Sequence, residues 1–218
     1  MKRICVLQLF IFVSLTTLLA KPTDSISTVY RDGEFVTYCQ VLVKASDSIS
    51  STIVNDFIYQ NRYDLDALFG WAFKGLNLRK EKSGLMVINY KSAEYNKEKN
   101  FIKTKIDLII PNVITFPDIL MYSRLTKKEM SNGETSMTSE SLYPNSFMKK
   151  TVSTLSIIPK KNDETWYTLE SHIRFGKFFD FFITQNRFRQ IMQWRLHKLL
   201  NNLRIEAERR ENLKNRNK

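Results

Sequence analysis

The sequence predicts an α+β fold: a curved antiparallel sheet of about seven strands, two short helices after the first strand, and a long C-terminal helix packed across the sheet. Two observations carry this. Between Ser83 and Phe175 apolar and polar residues alternate with a period of two, the signature of half-buried strands. From Gln185 to Lys218 there is neither proline nor glycine, and Phe188, Met192, Leu196, Leu199, Leu200 and Leu203 recur at three- and four-residue steps, the spacing of one helix face. A sheet with one apolar face needs a cover, and only this last helix is long enough to provide it.

The elements follow in order. Phe35 to Lys44 has strand composition, with Phe35, Cys39, Val41 and Val43 on one phase. Ser46 or Asp47 can cap a helix in which Ile49, Ile53 and Phe57 fall at four-residue steps. Leu65, Leu68, Phe69 and Ala72 mark a second helix ending near Gly75. Six period-two segments come next: Met86 to Tyr90, Ile102 to Ile110, Ile119 to Leu125, Glu134 to Leu142, Thr151 to Ile158 and Trp166 to Phe175. Between them lie short polar joints such as Ser131-Asn-Gly133 and Pro159-Lys-Lys-Asn-Asp163, which is hairpin chemistry. Phe175-Gly-Lys-Phe-Phe-Asp-Phe-Phe182 then leads into the helix. Its phenylalanines would anchor the helix start in the core or line the mouth of a cavity.

Residues 1–20 read as a signal peptide: Lys2 and Arg3 precede an uncharged run from Ile4 to Ala20, and Lys21 follows. The expectation is export, to a periplasm or outside the cell after cleavage, with an uncleaved N-terminal anchor as the alternative. Residues 21–33 read as a polar linker, 34–208 as the domain, and 209–218 as a basic tail, the stretch from Glu206 being expected to overrun the sheet and fray. Without the leader Cys39 is the only cysteine, so no internal disulfide can form and stability must come from the core. A lone cysteine on a strand is expected to be a small buried hydrophobe.

Catalytic signatures are lacking. His172 and His197 belong to no metal-spaced cluster, and there is no phosphate-binding glycine loop or nucleophile elbow. No metal and no cofactor are expected. The charge is +12, of which residues 185–218 carry +7 with ten Lys/Arg against three Glu. Nucleic acid is not expected as a partner, since no reading motif accompanies the charge. An anionic membrane surface is one use for such a helix, and a solvated outer face is the other.

This layout resembles the START-like (SRPBCC, helix-grip) superfamily, which includes the lipid-transfer START domains and the birch-pollen-allergen-like proteins. The resemblance covers about Phe35 to Glu208. It is carried by Phe175-Gly-Lys-Phe-Phe, by Phe181-Phe-Ile-Thr-Gln-Asn186 with Leu199-Leu-Asn-Asn-Leu203 in the helix, and by Val41-Leu-Val-Lys-Ala-Ser46 entering a capped helix. It implies an apolar cavity between the sheet and the last helix, able to hold a lipid or other hydrophobic small molecule.

The leading expectation is therefore an exported, monomeric, non-enzymatic carrier of a hydrophobic ligand. Its walls would be Met86, Ile88, Ile106, Leu108, Met121, Phe179, Phe182, Met192 and Leu199. A second reading is an envelope scaffold that docks on a membrane or a partner through Arg187, Arg195, Lys198, Arg209 and Arg210. A third is a cyclase- or hydrolase-type enzyme, which would need polar residues converging inside the cavity, such as Glu170 with His172 or Tyr90.

Overall fold

A computed structural model describes residues 24–76, 87–176 and 184–217. In chain order the elements are β1 (Ser25–Arg31), β2 (Glu34–Val43), α1 (Asp47–Tyr63), α2 (Leu65–Gly70), β3 (Val87–Asn96), β4 (Phe101–Ile110), β5 (Ile114–Glu129), β6 (Thr135–Ser141), β7 (Met148–Pro159), β8 (Thr165–Phe175) and α3 (Gln185–Arg216). The strands form one antiparallel sheet in the order β1-β2-β8-β7-β6-β5-β4-β3, and α3 lies over β2, β1 and β8 and against α1. This is the α+β helix-grip arrangement.

One expectation needs correction. The sheet has eight strands rather than seven, because the stretch read as a polar linker contains β1. Asp32 and Gly33, both at positive φ (55° and 76°), turn the chain back so that Val29 pairs with Val36 and Thr28 with Thr37. That is the Asp-Gly hairpin pattern. β1 is an edge strand on which only Thr28 is buried, while Val29 and Tyr30 are exposed, so its composition mimics a linker. The first of the two helices after β2, α1, has 17 residues and buries Ser50, Ile53, Val54 and Phe57.

The main core joins Cys39, Val41 and Val43 of β2, Leu155 and Leu169 of the neighbouring strands, and Leu200, Leu203 and Ala207 of α3. Cys39 is fully buried, and burial pushes its thiol up to about 12, so it is an unreactive packing group as its strand position implied. On β2 and β8 the inward phase is unbroken: Phe35 faces Ile173, Thr37 faces Ser171, Cys39 faces Leu169 and Val41 faces Tyr167.

The far end of the sheet is bent by two bulges. On β5 the pairs Ile106–Ile119 and Leu108–Phe116 leave Pro117 and Asp118 together opposite Asp107. Pro117 brings no N–H to the ladder and Asp118 has φ +57°, so a bulge is the one in-strand place where both fit. On β3 the register slips between Tyr90 and Ser92, leaving Lys91 as the extra residue. Lys91 Nζ then reaches Asp107 at 2.7 Å and Asp118 at 2.8 Å, and the Asp118 N–H donates to Asp107 Oδ1 at 2.9 Å. One ion cluster thus ties both bulges to the strand between them.

The C-terminal third of α3 is docked, not frayed. Glu208 Oε1 accepts from the Lys44 N–H at 3.1 Å, and Glu211 Oε2 accepts from the Ser46 N–H at 2.9 Å and from its hydroxyl at 2.5 Å. Ser46 precedes the first turn of α1, so the Glu211 carboxylate also lies at the positive end of that helix dipole. Arg210 reaches back to Glu206 at 2.8 Å and across to Asp56 of α1 at 2.6 Å. The alternation of Arg with Glu that reads as a solvated tail is a set of paired contacts to the β2–α1 corner. Further up the helix, buried Asn202 donates through Nδ2 to the carbonyls of Ala72 and Lys74, both at 2.9 Å, and so fixes the turn after α2.

Replacing Asn202 by Ala leaves two carbonyls beneath the helix without their donor. It should cost about 1–3 kcal/mol of unfolding free energy, read from urea denaturation. Acid should also weaken the α3 anchor. Glu206 is held below its ordinary 4.5, first by the hydrogen bond from Arg209 and then by Arg210, against an opposing effect of burial. A carboxylate depressed in the folded state contributes stability that is complete above pH 4.5 and is lost as pH falls through its folded value. The drop in urea midpoint between pH 6 and pH 3 should therefore be smaller in Glu206→Gln than in the parent chain.

Candidate functional site

The apolar interior does not close into a single core. Beside the main cluster, Ile106, Leu108 and Ile119 form a second one on the bulged strands, and Phe35, Ile173 and Phe188 a third at the start of α3. A cavity of about 300 Å³ lies where the three meet, touching Ile106, Leu108 and Ile119 of the second, Ile173 and Phe188 of the third, and Leu196 of the first. A neighbouring space of about 310 Å³ shares Phe73, Ile88, Ile106, Met121, Leu196 and Leu199 with it and runs toward Phe57, Leu65 and Phe69. The first volume alone lies at the lower end of small-molecule sites.

Of the residues proposed as walls, Ile88, Ile106, Leu108, Met121, Met192 and Leu199 stand around this one cavity. Met86, Phe179 and Phe182 lie outside the described residues. The bulge on β5 explains why Phe116 belongs to the same cluster as Ile119: three residues apart, they would face opposite ways on a regular strand. Phe116 packs against Phe147, with ring centroids 4.8 Å apart and the rings tilted at 60°. Phe147 in turn is positioned by Asn145, whose Oδ1 accepts from the Phe147 and Met148 N–H groups at 2.9 and 2.8 Å. Phe175 and Phe188 meet edge to face at 4.9 Å and line the cavity beside them.

The basic set behaves differently. Arg195 is only 8% exposed and lines the cavity, so it is not part of an outer face. Burial pushes its guanidinium down to about 10, which leaves it cationic at neutral pH. Arg210 is engaged by Glu206 and Asp56, and the exposed Arg209 pairs with Glu206 at 2.7 Å. Arg187 and Lys198 are half-buried, and a Cβ on Gly75 would lie 3.4 Å from the Lys198 Cε. Arg195 and Arg210 therefore do not belong to an open basic face. The signal that places Arg195 inside was present in the sequence: it follows Met192 by three residues and precedes Leu199 by four, so it sits in the apolar stripe.

Polar residues that alternation alone did not single out also reach the cavity. Ser153 and Ser171 line it and face each other across β7 and β8, their hydroxyl oxygens 2.8 Å apart. Ser139 is in register with Ser153, Thr37 with Ser171, and Thr28 with Thr37, the last two hydroxyls being 3.0 Å apart. A row of hydroxyls thus crosses five adjacent strands on the inner face. Small polar side chains there hold the sheet back from the helix without filling the space between them.

The pair named for an enzyme is not in the cavity. His172 Nε2 and Glu170 Oε1 are 2.6 Å apart, but they flank inward Ser171 and so lie on the outer face, where His172 Nδ1 also approaches Glu34 at 3.8 Å. Tyr90 does face inward, in the neighbouring space. Among the described residues no group of three or more His, Cys, Asp or Glu could hold a metal ion. No described helix is long and apolar enough to cross a membrane.

No family model matches the chain, and no curated protein matches it. Solved structures do. A START superfamily protein from Mycobacterium smegmatis shares 12% identity over 80% of this chain and 97% of its own, with a TM-score of 0.47. A STAR-related lipid transfer protein from Xanthomonas axonopodis shares 12% over 85% and 99%, TM-score 0.45. Norcoclaurine synthase from Thalictrum flavum shares 13% over 80% and 88%, TM-score 0.41. The helix-grip layout of this chain does not by itself select an activity.

The rim of the cavity depends on one close approach. Gly176 donates its N–H to the Phe147 carbonyl at 3.0 Å, and a Cβ at this position would collide with the Ser146 carbonyl oxygen. Gly176→Ala should push the 145–148 turn off the cavity at a cost of roughly 1–3 kcal/mol. The check is a lowered melting temperature together with faster amide hydrogen exchange at Phe147 and Met148.

Proposed function

We propose that this protein is a non-enzymatic binder or carrier of a hydrophobic, lipid-like small molecule held between the sheet and α3. One observation carries the reading: an apolar cavity lies among three apolar clusters, and its wall residues come from both the bulged strands and the final helix. A space of about 300 Å³ with an apolar lining has the size and character of a site for a small hydrophobic molecule, which supports the reading. Binding would draw on apolar burial, about 25 cal/mol for each Å² removed from water. We further propose that the protein works outside the cytoplasm, on the strength of the leader-like residues 1–20.

Native mass spectrometry of protein taken from its own envelope, followed by organic extraction, tests the carrier reading directly. A co-purifying lipophilic species supports it. An empty protein that also fails to bind fluorescent acyl and sterol probes would sink it. A complementary variant is Leu199→Trp, which places a large ring in the cavity from the helix side. It should lower probe affinity at least about tenfold, or 1.4 kcal/mol, while leaving the melting temperature within a few degrees of the parent.

A further inference from the structure

The two neighbouring spaces beneath α3 share walls but differ in chemistry. The first, of about 300 Å³, presents an almost wholly apolar surface. Ser153 and Ser171 border it, but their hydroxyls bond each other at 2.8 Å and contribute almost nothing to that surface. The second, of about 310 Å³, presents polar atoms together with apolar ones. Ile88, Ile106, Met121, Leu196 and Leu199 line both, so the two spaces adjoin. Besides Tyr90 and Ser153, four polar side chains line the second space: Asn61 from α1, Thr104 from β4, Ser123 from β5 and Ser139 from β6. Strand phase turns the three hydroxyls inward. Thr104 lies between buried Ile102 and Ile106, Ser123 two residues before buried Leu125, and Ser139 two residues after buried Met137. The registers gather them, since Thr104 is opposite Met121, Ser139 is opposite Leu125, and Ser123 stands between those two partners on β5.

Among the described residues, none of the side chains of Asn61, Thr104, Ser123 and Ser139 has a hydrogen-bond partner. Unsatisfied polar groups in a folded interior call for an explanation, and one bound molecule supplies it for all four. Their chemistry says what that molecule can offer. Hydroxyls and an amide both donate and accept, so they suit an alcohol or a carbonyl equally. No Asp, Glu, Lys or Arg is among the described residues that line the second space. A charged end brought there would lose its water with no counter-charge in exchange, which is far more costly than desolvating a neutral one. The first space has almost nothing for a polar group and suits a hydrocarbon body.

We propose that one uncharged amphiphile occupies both spaces, with an apolar body in the first and a neutral hydroxyl- or carbonyl-bearing end in the second, received by Asn61, Thr104, Ser123 and Ser139. The proposal rests on the carrier reading and narrows it to a ligand class. It also orients the ligand, with the polar end between α1 and strands β4–β6 and the apolar body toward the start of α3.

The test titrates four probes into the full folded chain at neutral pH: decanol, decanoate, decyltrimethylammonium and naphthalene, each below the concentration at which it aggregates. Decanol should bind at least about tenfold more tightly than either ion. Naphthalene needs only the first space and should bind too. In the double variant Ser123→Ala with Ser139→Ala, decanol affinity should fall about tenfold while naphthalene affinity stays within about a factor of two. Thr104→Val keeps the branched shape without the hydroxyl and should lower decanol affinity several-fold. An ion that binds as tightly as decanol overturns the uncharged-end inference and leaves the carrier reading standing. Unchanged decanol affinity in the double variant overturns the placement of the polar end. Equal losses for decanol and naphthalene show a structural role and overturn it as well. Failure of all four probes to bind the parent removes the carrier reading together with the inference. Thr104→Val decides the placement if the double variant does not fold.

Discussion

Everything in this molecule depends on how α3 is seated across the sheet. Leu196, Leu200, Leu203 and Ala207 enter the main core from the helix and meet Cys39, Val41 and Leu169 from the strands. Fully burying a leucine is worth about 1.5–3 kcal/mol, whereas an exposed ion pair contributes about 0.2–1. The apolar stripe therefore sets the helix against the sheet, and the charged contacts choose its position along that line. Glu208 and Glu211 on the β2–α1 corner, with Arg210 on Asp56, allow little sliding. Asn202, bonded to two carbonyls beneath it, fixes the rotation.

The opposite side of the structure is shaped by curvature. A flat sheet would run out from under the helix on the β3–β5 side. Bulges at Lys91 and at Pro117–Asp118 bend it instead, and the Lys91–Asp107–Asp118 cluster holds both bends at once. The bend brings Ile106, Leu108 and Ile119 to the α3 side, where Ile191 of the helix packs against them and the cavity lies beside that contact.

Much of the layout was legible in the sequence because two periodicities are hard to confuse. A period of two from Ser83 to Phe175 and a 3–4 step from Phe188 specify strands and helix, and from them come the inward phases that set Ile88, Ile106, Leu108 and Met121 beside Met192 and Leu199. What escaped has physical reasons too. β1 buries only Thr28, so its composition carries no core signal, although Asp32-Gly33 marked the turn. Arg195 was read by its charge rather than by its place in the stripe. Phe116 required the bulge, since alternation alone turns it outward. The hydroxyl row Ser139–Ser153–Ser171 lies on inward phases, but only the strand registers align it.

α3 divides into a part that holds the fold together and a part that lines the cavity. Its C-terminal half, from Leu200 onward, is committed to the core and to the β2–α1 corner. Its N-terminal half presents Phe188, Met192, Arg195, Leu196 and Leu199 to the cavity. The cavity thus adjoins the part of the helix whose packing is incomplete, while the anchored half keeps the sheet covered. Arg195 stands one turn before the two halves join, on the cavity side of the closed core. Leu199, four residues on, still lines the cavity, whereas a charge at Leu200 would replace a fully buried leucine. The closed core therefore limits how far along the helix a charge can stand, which is a constraint of packing before it is one of function.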